Sequence, residues 1–366
     1  MNTTMANQLS IPPFPTDLPL APLTIISHEK LLSHDPTESS KLLSACKNQG
    51  FFHLDLRTTP QGASLLAQSS QLYNLAQVLF DLPLEIKQQY TLQKGVSLFG
   101  YKPAGTIKAT DPTRRPDATE FFNIGKDDLF HPTSPDLLTK KYPPDIQANL
   151  PLLKSFTTNS HTLAMHLLTL LARELHLPSD TALTDLNTFP HPSGDHTRLT
   201  RTTHPHGDND NDSIALPSHT DFGTLTLLFN RLGGLQIEST TTTTTTATPG
   251  HWEWVKPLPG HAIVNLGDAM KIFTSGYLKS AKHRVVPLPG ADEVKNSRYS
   301  VVYFVRPANH VLMKAVDGFE RDEGSVKAVA GKFEPKPTHK QVHDSEGGNV
   351  LTAGEWMVQR AVQLGN

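Results

Sequence analysis

After Leu177 the chain breaks into short apolar runs separated by turn residues: TLTLLF, GLQIES, WEWV, HAIVNL, HRVVPL and YSVVYFV. Several short strands at such spacing predict a sandwich or barrel rather than a parallel α/β sheet. Upstream the apolar residues recur at helical spacing instead. Leu42, Leu43 and Ala45 predict a helix over Thr37 to Asn48, followed by a short strand in GFFHLDL. Leu65, Leu66, Leu72, Leu75, Val78 and Leu79 predict a second helix that stops at Asp81-Leu82-Pro83. Leu152, Phe156, Leu163, Leu167, Leu170 and Leu171 mark a third, from about Leu150 to Leu175. Near the C-terminus, Thr352 and Glu355 form a capping box ahead of Trp356, Val358, Ala361 and Val362.

The expected organisation is an extended Pro-rich segment over 1–22, with Pro12, Pro13, Pro15, Pro19 and Pro22 opposing helix. An N-terminal domain over 23–150, a helix and strand core over 151–310, and a C-terminal loop and helix over 311–366 follow. Thr240–Thr246 is a homopolymer tract with no face to bury, hence an expected exposed hairpin loop. A net charge of −2 argues against a nucleic-acid-binding surface. The single cysteine, Cys46, rules out an intrachain disulfide framework and fits a reducing, cytoplasmic setting. The first twenty residues are too polar for a signal peptide, and no apolar run approaches the roughly 18 residues of a membrane helix.

Chemistry enters through His-x-Asp. One such pair is weak evidence in a chain with 18 histidines, and three are present: His53-x-Asp55, His206-x-Asp208 and His219-x-Asp221. Side chains two apart on a strand share a face, so an imidazole and a carboxylate there can reach one metal. The pair at 219 and 221 leads into TLTLLF, whose alternate residues Leu225, Leu227 and Phe229 predict an inward-pointing face. His283, on a later strand whose Val285 shares its face, supplies a third ligand. Two imidazoles and one carboxylate are the ligand set of a non-haem Fe(II) centre with open positions. The pair at 53 and 55 has no third ligand at a sensible location, and the pair at 206 and 208 sits in a Gly/Asp/Asn loop with nothing to rigidify it. Asp208, Asp210 and Asp212 imitate a calcium loop, but its sixth position is Ser213 and its twelfth His219. His204 and His206 lack a fixed third zinc ligand.

Arg298 and Ser300 share a strand face with Val302 and Phe304, so that face is a core or a pocket lining. An arginine there needs an anionic partner, which no neighbour in sequence supplies. A guanidinium fork plus a hydroxyl matches a carboxylate.

On these residues the chain resembles the Fe(II)/2-oxoglutarate-dependent dioxygenases, in the isopenicillin N synthase-like branch with fungal and plant members. GFFHLDL and LPLEIKQQY look like that family's N-terminal domain. The stretch HWEWVKPLPGHAIVNLGDAMKIFTSGYLKSAKHRVV resembles its core, including Asn265, Gly267, Asp268, Ser275, Gly276 and Ser280. The resemblance implies a mainly β fold: a double-stranded β-helix (jelly-roll) core with flanking helices and a helical N-terminal domain. It assigns His219, Asp221 and His283 to iron, and Arg298 with Ser300 to the distal carboxylate of 2-oxoglutarate. O2 is the co-reactant, and ascorbate a candidate reductant. A small molecule would be hydroxylated, desaturated or rearranged, with succinate and CO2 released. RLTRTTHPH places Thr202 where the family often has a tyrosine, leaving Arg198 and Arg201 as basic groups near the site. In thymine hydroxylase-like relatives, aromatic rings at the positions of Phe222 and Phe304 flank a planar substrate. Phe222, Phe304 and Arg198 are therefore the expected pocket residues, although strand parity points Phe222 the other way unless the chain turns at Gly223. Two other readings stay open: a 2-oxoglutarate-independent oxidase of the same fold, and a non-catalytic binding module. Oligomeric state is not legible.

Overall fold

The computed structural model describes residues 13–93, 97–106, 117–203, 215–239, 251–289, 297–317 and 350–363. Residues 1–12 of the Pro-rich segment, the threonine tract and the stretch holding His204, His206 and Asp208 to Ser213 lie outside the described residues. Among the described residues twelve strands form two sheets. In chain order they are β1 (Ile25–Ser27), β2 (Phe51–Asp55), β3 (Gly100–Lys102), β4 (Thr119–Gly125), β5 (His196–Thr202) and β6 (Leu216–His219). Then follow β7 (Leu225–Asn230), β8 (Leu235–Glu238), β9 (Trp252–Trp254), β10 (His261–Leu266), β11 (His283–Val285) and β12 (Arg298–Val305). The larger sheet runs β1-β2-β10-β7-β12-β5-β4-β3 and the smaller β6-β11-β8-β9. Of these strand pairs only β1–β2 is parallel. All six apolar runs named from the sequence become strands, and the jelly-roll core with flanking helices is the architecture expected.

Helices cover the outer face of the large sheet. The helices Pro36–Asn48, Pro60–Asp81 and Leu150–Glu174 lie where the periodicity puts them. Asp35 caps the first, its carboxylate accepting from the N–H groups of Thr37 and Glu38, and Thr59 caps the second through Gly62. Phe156, Leu163 and Leu167 of the long helix share one core with Leu199, Leu225, Leu227, Val301 and Tyr303 of the sheet. Removing one such fully buried ring as Phe→Ala costs about 3–5 kcal/mol. Two expected core positions face solvent instead: Val78 and Val358 are exposed. The Thr352–Glu355 capping box forms with both hydrogen bonds in place. No helix among the described residues is long and apolar enough to cross a membrane.

At β7 the structure reverses the face expected from the sequence. Leu225, Leu227 and Phe229 pack outward against the helices, whereas Thr226 and Leu228 line the space between the sheets. The reason is the turn over 220–224, which separates β6 from β7 and resets the alternation. At β12 no turn intervenes, and Arg298, Ser300, Val302 and Phe304 all face the inter-sheet space as expected. Strands of the segment 23–150 flank the core strands in the same sheet, β2 against β10 and β4 against β5.

Candidate metal and cosubstrate site

His219 ends β6 and His283 opens β11, and the two are directly opposed in the antiparallel register. Their ring centroids are 4.3 Å apart. Asp221 does not share a strand with His219 but lies in the following turn, which swings its carboxylate beneath both rings. Asp221 Oδ1 is 3.9 Å from His219 Nε2 and 3.8 Å from His283 Nε2. Among the described residues these three form the one cluster of His, Cys, Asp or Glu side chains placed to share an ion, with donor atoms within 4.8 Å of one another.

The surroundings prepare each donor. His219 Nδ1–H donates to Pro217 O at 2.8 Å and His283 Nδ1–H to Ala281 O at 3.2 Å, which fixes the tautomer and leaves each Nε2 lone pair free. Asp221 Oδ2 accepts from Thr226 Oγ1 at 2.7 Å and Asn265 Nδ2 at 2.8 Å, so Oδ1 remains for a cation. Burial alone would raise the Asp221 pKa; the two imidazoles and these hydrogen bonds outweigh it and hold the carboxyl below its ordinary range. Burial, reinforced by His283, pushes His219 down to about 4, so it is neutral near pH 7. Two imidazoles whose Nδ1–H groups are committed to backbone carbonyls, with a dedicated carboxylate oxygen, fit a divalent iron ion.

The clamp lies on the same cavity wall. Arg298 is buried, its Nε donates to Gly233 O at 2.9 Å, and burial pushes it down to about 10. No carboxylate pairs with it among the described residues. Gly234 beside it has φ of +118°, and a Cβ there would stand 2.8 Å from Val286 O and 3.3 Å from Arg298 Cδ, so any other residue would be strained and would crowd the guanidinium stem. Ser300 Oγ is hydrogen-bonded to Thr200 Oγ1, and Thr202 Oγ1 to Thr119 Oγ1 at 2.9 Å. Threonine hydroxyls thus border the clamp where the resemblance would place a phenol.

The two basic residues near the site separate by strand parity. Arg201 points outward and pairs with Glu120 and Asp81, a structural role. Arg198 points inward, sandwiched between Phe121 and Phe304 with its Cζ 4.1 and 4.8 Å from the ring centroids. Its Nε donates to Asn123 Oδ1 at 2.7 Å, and burial lowers its pKa to about 9. Phe304 lines the cavity and stacks on His196 at 4.6 Å. Phe222 does not line it. It points to the side opposite Asp221, as parity from the carboxylate predicted, into a second core with Trp356, Met357 and Phe273. The sequence reading missed Thr226, Asn123 and Thr200, which faces the cavity beside Ser300; only Asn265 carried a signal, through its resemblance motif.

The cavity holding triad, clamp and Arg198 measures about 80 Å³. A larger one of about 580 Å³ is lined by Tyr73, Arg231 and Lys256 among others, and by Gly233, whose carbonyl accepts from Arg298. His219, Asp221 and His283 all line the smaller cavity, and the larger contains none of them. His53 and Asp55 stand apart from the triad: Asp55 pairs with Arg57, and His53 Nε2 bonds Lys256 O.

Two family models match the chain: the 2OG-Fe(II) oxygenase superfamily over residues 194–307, and the N-terminal region of the non-haem dioxygenases in morphine synthesis over residues 21–145. A 2-oxoglutarate-dependent dioxygenase of Aspergillus fumigatus is 32% identical over 320 residues, covering 82% of this chain and 80% of the relative. One of Gibberella zeae is 31% identical over 320 residues, covering 85% and 86%. Among solved structures, a full-length Neurospora crassa protein in complex with alpha-KG superposes with a TM-score of 0.71 at 22% identity, covering 93% of this chain and 96% of that one. A 2OG-Fe(II) oxygenase family protein of Caulobacter crescentus gives 0.70 at 22% identity, covering 94% and 99%.

Proposed function

The chain belongs to the 2OG-Fe(II) oxygenase superfamily, and on that premise we propose how its residues divide the work on a small organic substrate of the secondary-metabolite kind. His219, Asp221 and His283 hold the iron. Arg298, with Ser300, holds the distal carboxylate of 2-oxoglutarate. Arg198 and Phe304 meet the substrate. The observation that carries this division is that all three groups open into one cavity between the sheets.

Bound iron would supply the activation of dioxygen coupled to decarboxylation of the cosubstrate to succinate and CO2. The chain's own contribution is placement. The Arg298 fork and the Ser300 hydroxyl fix one end of the keto acid, because a buried guanidinium with no carboxylate partner among the described residues is complementary to an anion. Leu228, Leu235, Val285 and Val302 line the cavity and limit water beside the reacting atoms. Arg198 is locked in orientation by Phe121, Phe304 and Asn123, and it presents a cation to an acceptor group on a substrate stacked near Phe304.

The division between 23–150 and 151–310 remains our proposal for the domain boundary, supported by two separate family matches. A reducing, cytoplasmic setting is supported by the one buried free cysteine, Cys46. The experiment is product mass spectrometry over a metabolite panel with Fe(II), O2 and 2-oxoglutarate. Succinate formed in step with an oxidised product supports the assignment. Substrate oxidation without succinate would transfer Arg298 and Ser300 to the substrate's own carboxylate.

A further inference from the structure

The turn that carries the ligand pair is held from behind by the C-terminal helix Ala353–Gln363. Thr220, between His219 and Asp221, donates its hydroxyl to Asp268 Oδ2 at 2.9 Å. Arg360 of that helix donates from Nη2 to the same oxygen at 2.6 Å. The Arg360 guanidinium also lies over the Phe222 ring, 5.0 Å from its centroid, and Trp356 meets that ring edge-on at 6.3 Å. Residues 220 and 222 alternate with the ligands 219 and 221, and Arg360 touches the partner of one and the ring of the other.

Asp268 cannot move independently of the ligands. Its N–H donates to Asp221 O at 2.8 Å, and the next N–H, of Ala269, donates to Phe222 O at 3.1 Å. A Cβ on Gly267 would stand 2.2 Å from Gly223 O, so the two segments are in backbone contact. Arg306 lies 5.6 Å from the Phe222 ring centroid and reaches Met357 Sδ of the C-terminal helix at 3.3 Å.

We propose that the C-terminal helix positions the metal-ligand turn, with Arg360 acting through Asp268 on Thr220 and through the Phe222 ring on the residue after Asp221. Arg360 is a positioning residue, touching neither metal nor cosubstrate. The inference rests on the assignment of His219, Asp221 and His283 to the metal. The Arg360–Asp268 ion pair is partly buried, so its removal is read for metal affinity and for global stability separately. Its effect falls on the ligands, since groups behind metal ligands typically change metal affinity by about 10- to 100-fold when removed.

The test is an anaerobic titration of the metal-free, full-length protein with Co(II), read by its visible absorption, alongside thermal unfolding of the metal-free protein. Arg360→Met and Asp268→Asn should each weaken Co(II) binding about tenfold, and Arg360→Lys should recover part of the loss. The metal-free unfolding temperature of Arg360→Met reports any loss of global stability, with Arg173→Met, which breaks the exposed Arg173–Asp180 pair, as the reference for an ion pair alone. Thr220→Val removes only the hydroxyl that grips Asp268 and repeats the test from the other end, whatever the folding of the helix variants. Unchanged Co(II) affinity in Arg360→Met and Thr220→Val overturns the proposal, even with a lowered unfolding temperature. Wild-type binding that Asp221→Ala abolishes keeps the metal assignment standing in that case. Absence of wild-type binding overturns both.

Discussion

Asn265 Nδ2 donates to Asp221 Oδ2 at 2.8 Å, on the carboxylate oxygen opposite the one that faces both imidazoles. With Thr226 on the same oxygen, it determines which oxygen is left for the ion. Asn265→Leu is therefore expected to weaken metal binding about 10- to 100-fold while far-UV circular dichroism stays that of the wild type. A metal titration with unaltered affinity would show that Thr226 alone orients the carboxylate.

Removing a ligand should be more severe than removing its support. Asp221→Ala is expected to abolish succinate formation at excess Fe(II), because it leaves only two imidazoles to hold the ion. Asp55→Ala should leave metal binding unchanged, since Asp55 pairs with Arg57 and lies outside the triad. Turnover by Asp221→Ala equal to wild type contradicts the ligand set.

Arg298→Ala addresses the cosubstrate. Loss of a charge-assisted partner is worth about 1.5–3 kcal/mol, or roughly ten- to hundredfold in 2-oxoglutarate affinity. Calorimetric titration under anaerobic conditions reads this directly. Ser300→Ala should cost less, as Thr200 remains beside the vacated position. Equal affinity in wild type and Arg298→Ala would remove the clamp from the cosubstrate.

How far the sequence disclosed the site depended on where strand parity survives. From Arg298 to Phe304 the chain is one unbroken strand, so alternation placed Arg298, Ser300, Val302 and Phe304 on the cavity wall correctly. Between His219 and Leu225 the chain turns, and counting by twos across that turn put Leu225, Leu227 and Phe229 on the wrong face. The β6–β11 register that opposes His219 and His283 spans a long sequence separation and leaves no local trace. β5 was read only as a family stretch, because Arg198, Thr200 and Thr202 on its inner face erase the apolar alternation that marks other strands. Asn123 and Thr226 matter through partners distant in sequence or across a turn, which composition cannot reveal.

The buried histidines predict an acid limb in stability. His28 is held near pKa 4 by burial and by neighbouring His166, with its Nδ1 2.7 Å from Thr59 Oγ1. It is neutral in the folded protein but titrates near 6.5 once unfolded. The unfolded chain binds the extra proton, so this contribution is complete above about pH 6.5 and is lost as pH falls from there towards 4. Its size is at most about 3 kcal/mol. Urea unfolding of metal-free protein at about pH 7 and about pH 4.5 should give a smaller difference for His28→Gln than for wild type. An identical difference would assign the acid limb to other groups.

Two phenylalanines that looked alike in sequence should respond differently to truncation. Phe222 packs on Trp356 in the core beneath the ligand turn, with Arg306 and Arg360 over its ring. Phe222→Ala leaves a closed void there and should cost about 3–5 kcal/mol of stability. Phe304 is backed by His196 and Arg198 but borders the cavity, so part of its surface has no protein neighbour to lose. Phe304→Ala should therefore cost less stability than Phe222→Ala, yet it releases one side of the Arg198 sandwich. Substrate-coupled turnover should fall more than 2-oxoglutarate binding, because Arg298 lies at the other end of the same strand and keeps its Gly233 bond. Urea unfolding of both variants, with cosubstrate titration of Phe304→Ala, separates the two roles. Equal stability losses would place Phe304 in the core, and a matching loss of 2-oxoglutarate affinity would make it part of the clamp instead of the substrate wall.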